Sequence, residues 1–148
     1  MKRLAKLTGC VAAMAMFAAL VLPTLAQADD QDVIDYRQHI MNTMDAQTAA
    51  LGQILSTVIP DDNVVAHLEV IAIASQQSLS SFEKKVLGGE SLPEVWENWE
   101  DFSAKMNDFS EKITTAAQVA KEKGKDAAMG TILNALTCKE CHDVYRKK

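Results

Sequence analysis

Cys138, Cys141 and His142 stand together in the run CKECH. Two thiols three positions apart, with an imidazole directly after them, can ligate zinc, cycle as a redox dithiol, or hold a haem. A structural zinc wants four ligands, usually with a second Cys or His pair. The remaining histidines offer no such pair: His39 lies two residues before Met41, about 200° round a helix and off the core face, and His67 flanks a second apolar stripe. A redox dithiol belongs at a helix start after a strand, where the helix dipole lowers a thiol pKa. Here the motif comes late in a helical segment with no strand before it. Haem attachment accounts for the spacing. Two thiols on one helix face can add across the two vinyl groups of one porphyrin, and His142 then reaches the iron as proximal ligand. One covalent haem c with its iron is the expected cofactor; a non-haem redox or metal module is the alternative.

Export agrees with that chemistry, because c-type haem is attached outside the cytoplasm. The chain opens MKRLAKLTGCVAAMAMFAALVLPTLAQADD. Lys2, Arg3 and Lys6 make a basic start, Leu7 to Leu22 an apolar run, and Ala26-Gln27-Ala28 a small-residue cleavage site. The apolar run is short for a membrane anchor and ends at Pro23. LTGC resembles a lipoprotein box, but its apolar run follows Cys10 where a lipoprotein needs it before, so lipidation is discounted. The expectation is a cleaved signal peptide over residues 1–28, a periplasmic location without stable membrane insertion, and one mature domain over 29–148. Cleavage removes Cys10 and leaves only Cys138 and Cys141, too few for a disulfide framework. All 20 acidic residues stay and three of the 15 basic ones leave, so the net charge moves from −5 to −8. That balance argues against nucleic acid and acidic membranes as partners.

The elements that must position the motif read as four helices. Ile34, Met41, Met44, Thr48, Leu51, Leu55 and Val58 fall on one face from Gln31 to Val58, with Arg37 in the same stripe one turn before Met41. Pro60 stops that helix, and Asp61 or Asp62 is a ready N-cap for the next. Val64, Leu68, Ile71, Ser75, Leu79, Phe82 and Val86 form the second stripe, ended by Gly88-Gly89. Ser91 and Glu94 make a capping-box pattern, followed by Trp96, Trp99, Phe102, Met106, Phe109, Ile113, Ala116 and Ala120 up to Gly124. The fourth segment, Asp126 to Tyr145, carries Met129, Ile132, Leu133 and Leu136 before the motif. No stretch alternates apolar and polar long enough for a strand. The expected fold is an all-α antiparallel up-down four-helix bundle around the haem.

Several residues have two readings. Met41 offers a soft sulfur that suits haem iron, or fills the core; Met44, one turn away, is a rival. Buried, Arg37 needs an anion such as a haem propionate; otherwise it is a solvated arginine. Trp96 and Phe102 either wall the pocket or belong to plain core. The acid–lysine pairs of the third helix read as solvated surface.

CKECHDVYRKK at the C-terminus, VIDYRQHIMNTM in the first helix and LPEVWENWEDF at the start of the third resemble class II cytochromes c, the cytochrome c prime family. The resemblance implies that the first helix crosses the distal face of the haem, with Met41 at the position over the iron. It also implies that Arg146 lies beside the proximal imidazole. In gas-binding members the distal residue is an apolar side chain that leaves the iron five-coordinate; in a low-spin branch it is a ligating methionine. The reading leans to that branch: single-electron transfer with His142 and Met41 as axial ligands, an unidentified redox partner protein, and no substrate converted. The alternative is a five-coordinate protein that binds NO or CO. Members are often homodimers through their first two helices, and Ala46, Ala49 and Ala50 are compatible with close helix approach. The link from Gly88 to Leu92 is short beside the loop of many relatives, which puts coverage of the haem edge in question.

Overall fold

The computed structural model describes residues 28–148; the expected signal segment lies outside them apart from Ala28. Helix α1 spans Asp30–Leu55, α2 Val64–Ser78, α3 Glu94–Glu97, α4 Trp99–Lys123, α5 Lys125–Ala135 and α6 Cys138–Tyr145. Among the described residues there is no strand, only isolated bridges, and no helix long and apolar enough to cross a membrane. The pairings fix the directions. Asp30 meets Lys84 and Gln47 meets His67, so α1 and α2 are antiparallel; Glu69 meets Lys121 and Ser75 meets Ser110, so α2 and α4 are too. With α4 packed on α5, this is the expected bundle.

Helix α1 starts on a reciprocal cap. Asp32 N–H donates to Asp29 Oδ1 at 2.9 Å, and Asp29 N–H donates to Asp32 Oδ2 at 3.0 Å, which satisfies two N–H groups that the helix itself leaves free. It stops at Leu55, three residues before the expected Val58. Thr57 takes a left-handed φ of 62°, Val58 N–H donates to Gln53 O, and Thr57 N–H donates to Ile54 O. That is a Schellman closure with a threonine where glycine is usual. Val58, expected in the core, is 71% exposed.

Two expected helices are each split. The Ser91 capping box does not form: α3 starts after Pro93 without a side-chain cap, and Ser91 bridges to Arg146 instead. A break at Asn98 (φ −118°, ψ 45°) separates α3 from α4, and Trp96 turns back so that its Nε1 donates to Phe82 O at 2.8 Å. A second break at Leu136 and Thr137 separates α5 from α6, so CKECH opens a helix. Helix α2 also ends early, at Ser78, passing into a 3₁₀ turn over Leu79–Phe82.

The core has two parts. Leu51, Leu68, Ile71, Ile113, Ala116 and Ile132 form a closed aliphatic seam, at about 25 cal/mol per Å² of apolar surface removed from water. Phe82, Val95, Phe102, Met106 and Tyr145 form a smaller aromatic one, and Met41 packs against both. Ile40 and Ile54 are buried on α1 without having been read into its stripe, whereas Leu133 of α5 is 61% exposed and Ala128 and Ala135 are buried in its place.

Candidate functional site

Helices α1, α4 and α6 and the loop after α2 enclose a cavity of about 520 Å³, within the range of small-molecule and cofactor sites. Cys138, Cys141 and His142 all line it. The break at Thr137 puts both thiols on the first turns of α6, where residues three and four apart share a face. His142, one position beyond Cys141, reaches the same space. The thiols are free. Burial pushes both upward, the opposite of the depression that a reactive dithiol needs. Cys138 and His142 are exposed and Cys141 is half-buried, and all three border the cavity. Burial and then the charge of Arg146 push His142 down, favouring the neutral ring that ligates metals. The motif does stand at a helix start, contrary to expectation, but among the described residues no strand precedes it, and burial pushes its thiols up, not down. Among the described residues no cluster of three or more His, Cys, Asp and Glu could hold a metal ion.

Helix α1 supplies a second wall. Met41 is half-buried and Met44 buried, and both face the cavity together with Phe102, Met106 and Phe109. Arg37 is 3% exposed. Its guanidinium carbon lies 5.2 Å from the centre of the Phe82 ring and 5.3 Å from that of Trp96, a cation held by ring faces. Nη2 donates to Val86 O at 2.8 Å and Nε to Val33 O at 3.3 Å, while Nη1 is buried with no partner. Burial pushes the guanidinium down without discharging it. A buried, charged donor with one nitrogen unsatisfied beside a cavity fits an anionic group. Arg37 is therefore not the solvated arginine of the other reading. Trp96 does not line the cavity; it stacks behind Arg37 and steadies it, while Phe102 faces the space directly.

Arg146 lines the rim, with its Nε 2.7 Å from Glu90 Oε2. The loop carrying Glu90 runs over 83–93, longer than the Gly88–Leu92 link read from the sequence, because α2 ends early. Gly88, Gly89, Glu90 and Ser91 cover the cavity edge. Tyr145, read from the sequence only as part of the C-terminal motif and given no role, is also a site residue, one turn after His142 on the same face. It is 5% exposed, its ring meets Phe102 edge-on at 5.1 Å, and its hydroxyl donates to Asp101, which also pairs with Lys105. One acid–lysine pair of α4 is thus more than solvated surface. His67 shares a hydrogen bond with Gln47, and neither His39 nor His67 faces the cavity.

Paired thiols on one helical turn, an adjoining imidazole, and a sheltered cavity ending in an unsatisfied arginine define a c-type cytochrome on a helical bundle. The family model described as Cytochrome C' matches residues 32–146. Cytochrome c' of Alcaligenes xylosoxydans xylosoxydans is 29% identical over 126 residues, covering 82% of this chain and 98% of that protein. Cytochrome c-556 of Agrobacterium tumefaciens (strain apple 185) is 33% identical over 119 residues, covering 77% and 94%. A solved nitrosyl complex of a cytochrome c prime variant from Alcaligenes xylosoxidans superposes with a TM-score of 0.76 at 26% identity, covering 82% and 98%. The chain belongs to the cytochrome c prime family, whose members bind one covalent haem c with its iron. The methionine-ligated branch to which the sequence reading leaned is not supported by these matches.

Proposed function

We propose that this protein is an exported, periplasmic monohaem cytochrome c prime that binds NO or CO and converts no substrate. The observation that carries the reading is the make-up of the cavity wall. Among its lining residues the only imidazole is His142, and Met41, Met44, Phe102, Met106 and Phe109 form an apolar stretch on the α1 and α4 sides, flanked by polar Asn42, Asp45, Thr48, Lys105 and Asp108. The apolar stretch suits a small neutral diatomic, and the nitrosyl complex of the relative supports the choice. Bound haem c supplies an iron whose sixth position takes such a ligand and whose ferric–ferrous couple carries one electron. Cys138 and Cys141 would hold the porphyrin by thioethers, and His142 would hold the iron from the α6 side. Arg37 Nη1 would take a propionate, replacing the partner it lacks. The aromatic group of Phe82, Phe102 and Tyr145 keeps water from that flank.

A second reading rests on Met41, half-buried in the wall at the position that resemblance puts over the iron. If its sulfur ligates, the protein is a low-spin electron carrier with an unidentified redox partner. Absorption spectra of the holo-protein, ferric and ferrous, with and without CO, decide between the two. A high-spin spectrum that CO shifts readily is the expected result. A low-spin spectrum with a methionine-to-iron charge-transfer band, little altered by CO and made high-spin by Met41→Ala, would replace it with electron transfer. Self-association through α1 and α2 belongs to the same proposal. It is supported by exposed Tyr36 on α1 and Val70 and Ile73 on α2, and sedimentation of the holo-protein tests it.

A further inference from the structure

One loop grips both arginines of the cavity. Val86 O accepts from Arg37, and Glu90 Oε2 accepts from Arg146 Nε at 2.7 Å. Between these points the chain lies flat on α1. Gly88 and Gly89 take φ of 142° and 58°, and a Cβ would stand 2.6 Å from Ile34 Cδ1 at the first and 2.9 Å from Ile34 Cγ2 at the second. Only glycine combines that backbone with that approach. On its other side the loop pairs with the chain that leaves α6. Lys147 N–H donates to Glu90 O at 2.8 Å, Leu92 N–H donates to Tyr145 O at 3.0 Å, and Lys147 Nζ reaches Gly89 O at 2.8 Å. An ion pair at an open surface contributes little, because two long side chains must be ordered and water screens them. Here the backbone has already set Glu90 and Arg146 side by side, so less freedom is lost when they join.

We infer that Glu90 is a positioning residue: it holds Arg146 to the loop, and thereby sets how much positive charge the cavity feels and the reduction potential of the holo-protein. The inference rests on the haem reading above. A cation near the centre favours the reduced form, and a carboxylate fixed against that cation offsets it. Arg146 released from Glu90 is free to swing over the rim toward His142, where its charge is no longer compensated.

The test is a redox titration of the holo-protein carrying Glu90→Gln, Arg146→Gln, or both. Glu90→Gln alone is expected to raise the reduced-to-oxidised ratio at a fixed applied potential by about threefold, which for one electron is about 28 mV. Glu90→Asp, which keeps the charge within reach of Arg146, is expected to restore most of the wild-type value. In the Arg146→Gln background the Glu90→Gln shift should shrink to less than half. Equal shifts in both backgrounds, with a normal haem spectrum, would mean two independent charges and overturn the inference alone. A wild-type chain that carries no haem from a host able to attach it would instead overturn the haem reading, and this inference with it.

Discussion

Around Leu51, Leu68, Ile71 and Ile113, all 0% exposed, the bundle is aliphatic and closed; around Phe82, Phe102 and Tyr145 it is aromatic and opens into a cavity. The first region interlocks branched side chains and alanines at helix crossings, and its buried Ser75 hydroxyl is satisfied by Ala72 O and Ser110. The second contains a buried guanidinium with a free nitrogen, a tyrosine tied to a carboxylate, and two thiols. The contrast assigns the work: one region supplies stability, and the other gives up close packing to hold a group the polypeptide does not itself contain.

The largest effect should come from the open region. Cys138→Ala with Cys141→Ala removes both thioether donors, and covalent haem should be lost entirely, read as haem-stained protein on a denaturing gel. The bundle should survive, since neither thiol belongs to the aliphatic seam. Ile113→Ala should do the reverse: destabilise by about 2–5 kcal/mol in chemical denaturation with an unchanged absorption spectrum. A change in both readouts for either variant would mean that the two regions are not separable.

Arg37→Met sharpens the contrast further. In the haem-free double-cysteine variant it gives up the bond to Val86 O and the contacts with the Phe82 and Trp96 rings, a cost of about 1–2 kcal/mol offset in part by removing an unsatisfied donor. In the holo-protein it should lose about 1–3 kcal/mol more, because a charged hydrogen bond to the haem is broken there as well. The same cost in both forms would remove Arg37 from the haem site. At high pH the open region should yield first. The Tyr145 hydroxyl is pushed up to about 12 by burial and by its bond to Asp101. The unfolded chain therefore releases that proton near the ordinary tyrosine value while the folded chain keeps it, and stability falls as pH rises from about 10 to 12. Tyr145→Phe should flatten that limb. The smallest effect lies far from the cavity: Thr57→Gly relieves a left-handed threonine and should stabilise by about 1 kcal/mol without spectral change.

The two regions also differed in how far the sequence revealed them. Leu51, Leu68, Ile71 and Ile113 sit at helical spacing and are buried as their period requires. The haem motif is legible because its chemistry demands fixed spacing. The breaks at Asn98 and Thr137 were not legible, since neither carries a proline or glycine, and the extended periodicity across each position read as one helix. Tertiary contacts decide them: Trp96 turns toward Phe82, and Tyr145 toward Asp101. The fate of Ser91 was hidden for the same reason. Its capping pattern is local, while the bridge that displaces it comes from Arg146, 55 positions on. Arg37 illustrates partial legibility, because its face was evident but its two ring partners lie on other elements.

The break at Thr137 bears on the order of assembly. Helix α6 has eight residues, no side-chain cap at its start, and its firm anchor, Tyr145, at its far end. So short a helix does not persist unless something holds it, and before haem is attached it is held at Tyr145 and by the packing of Cys141 on the same aromatic group. The Cys138 end should therefore fray while the four long helices remain folded, presenting the Cys138 thiol first to the machinery that joins the pair to haem. Amide exchange in the haem-free chain should run faster at Lys139 and Glu140 than at Val144 and Tyr145. Maturation then becomes the closing of a loose end onto a finished bundle.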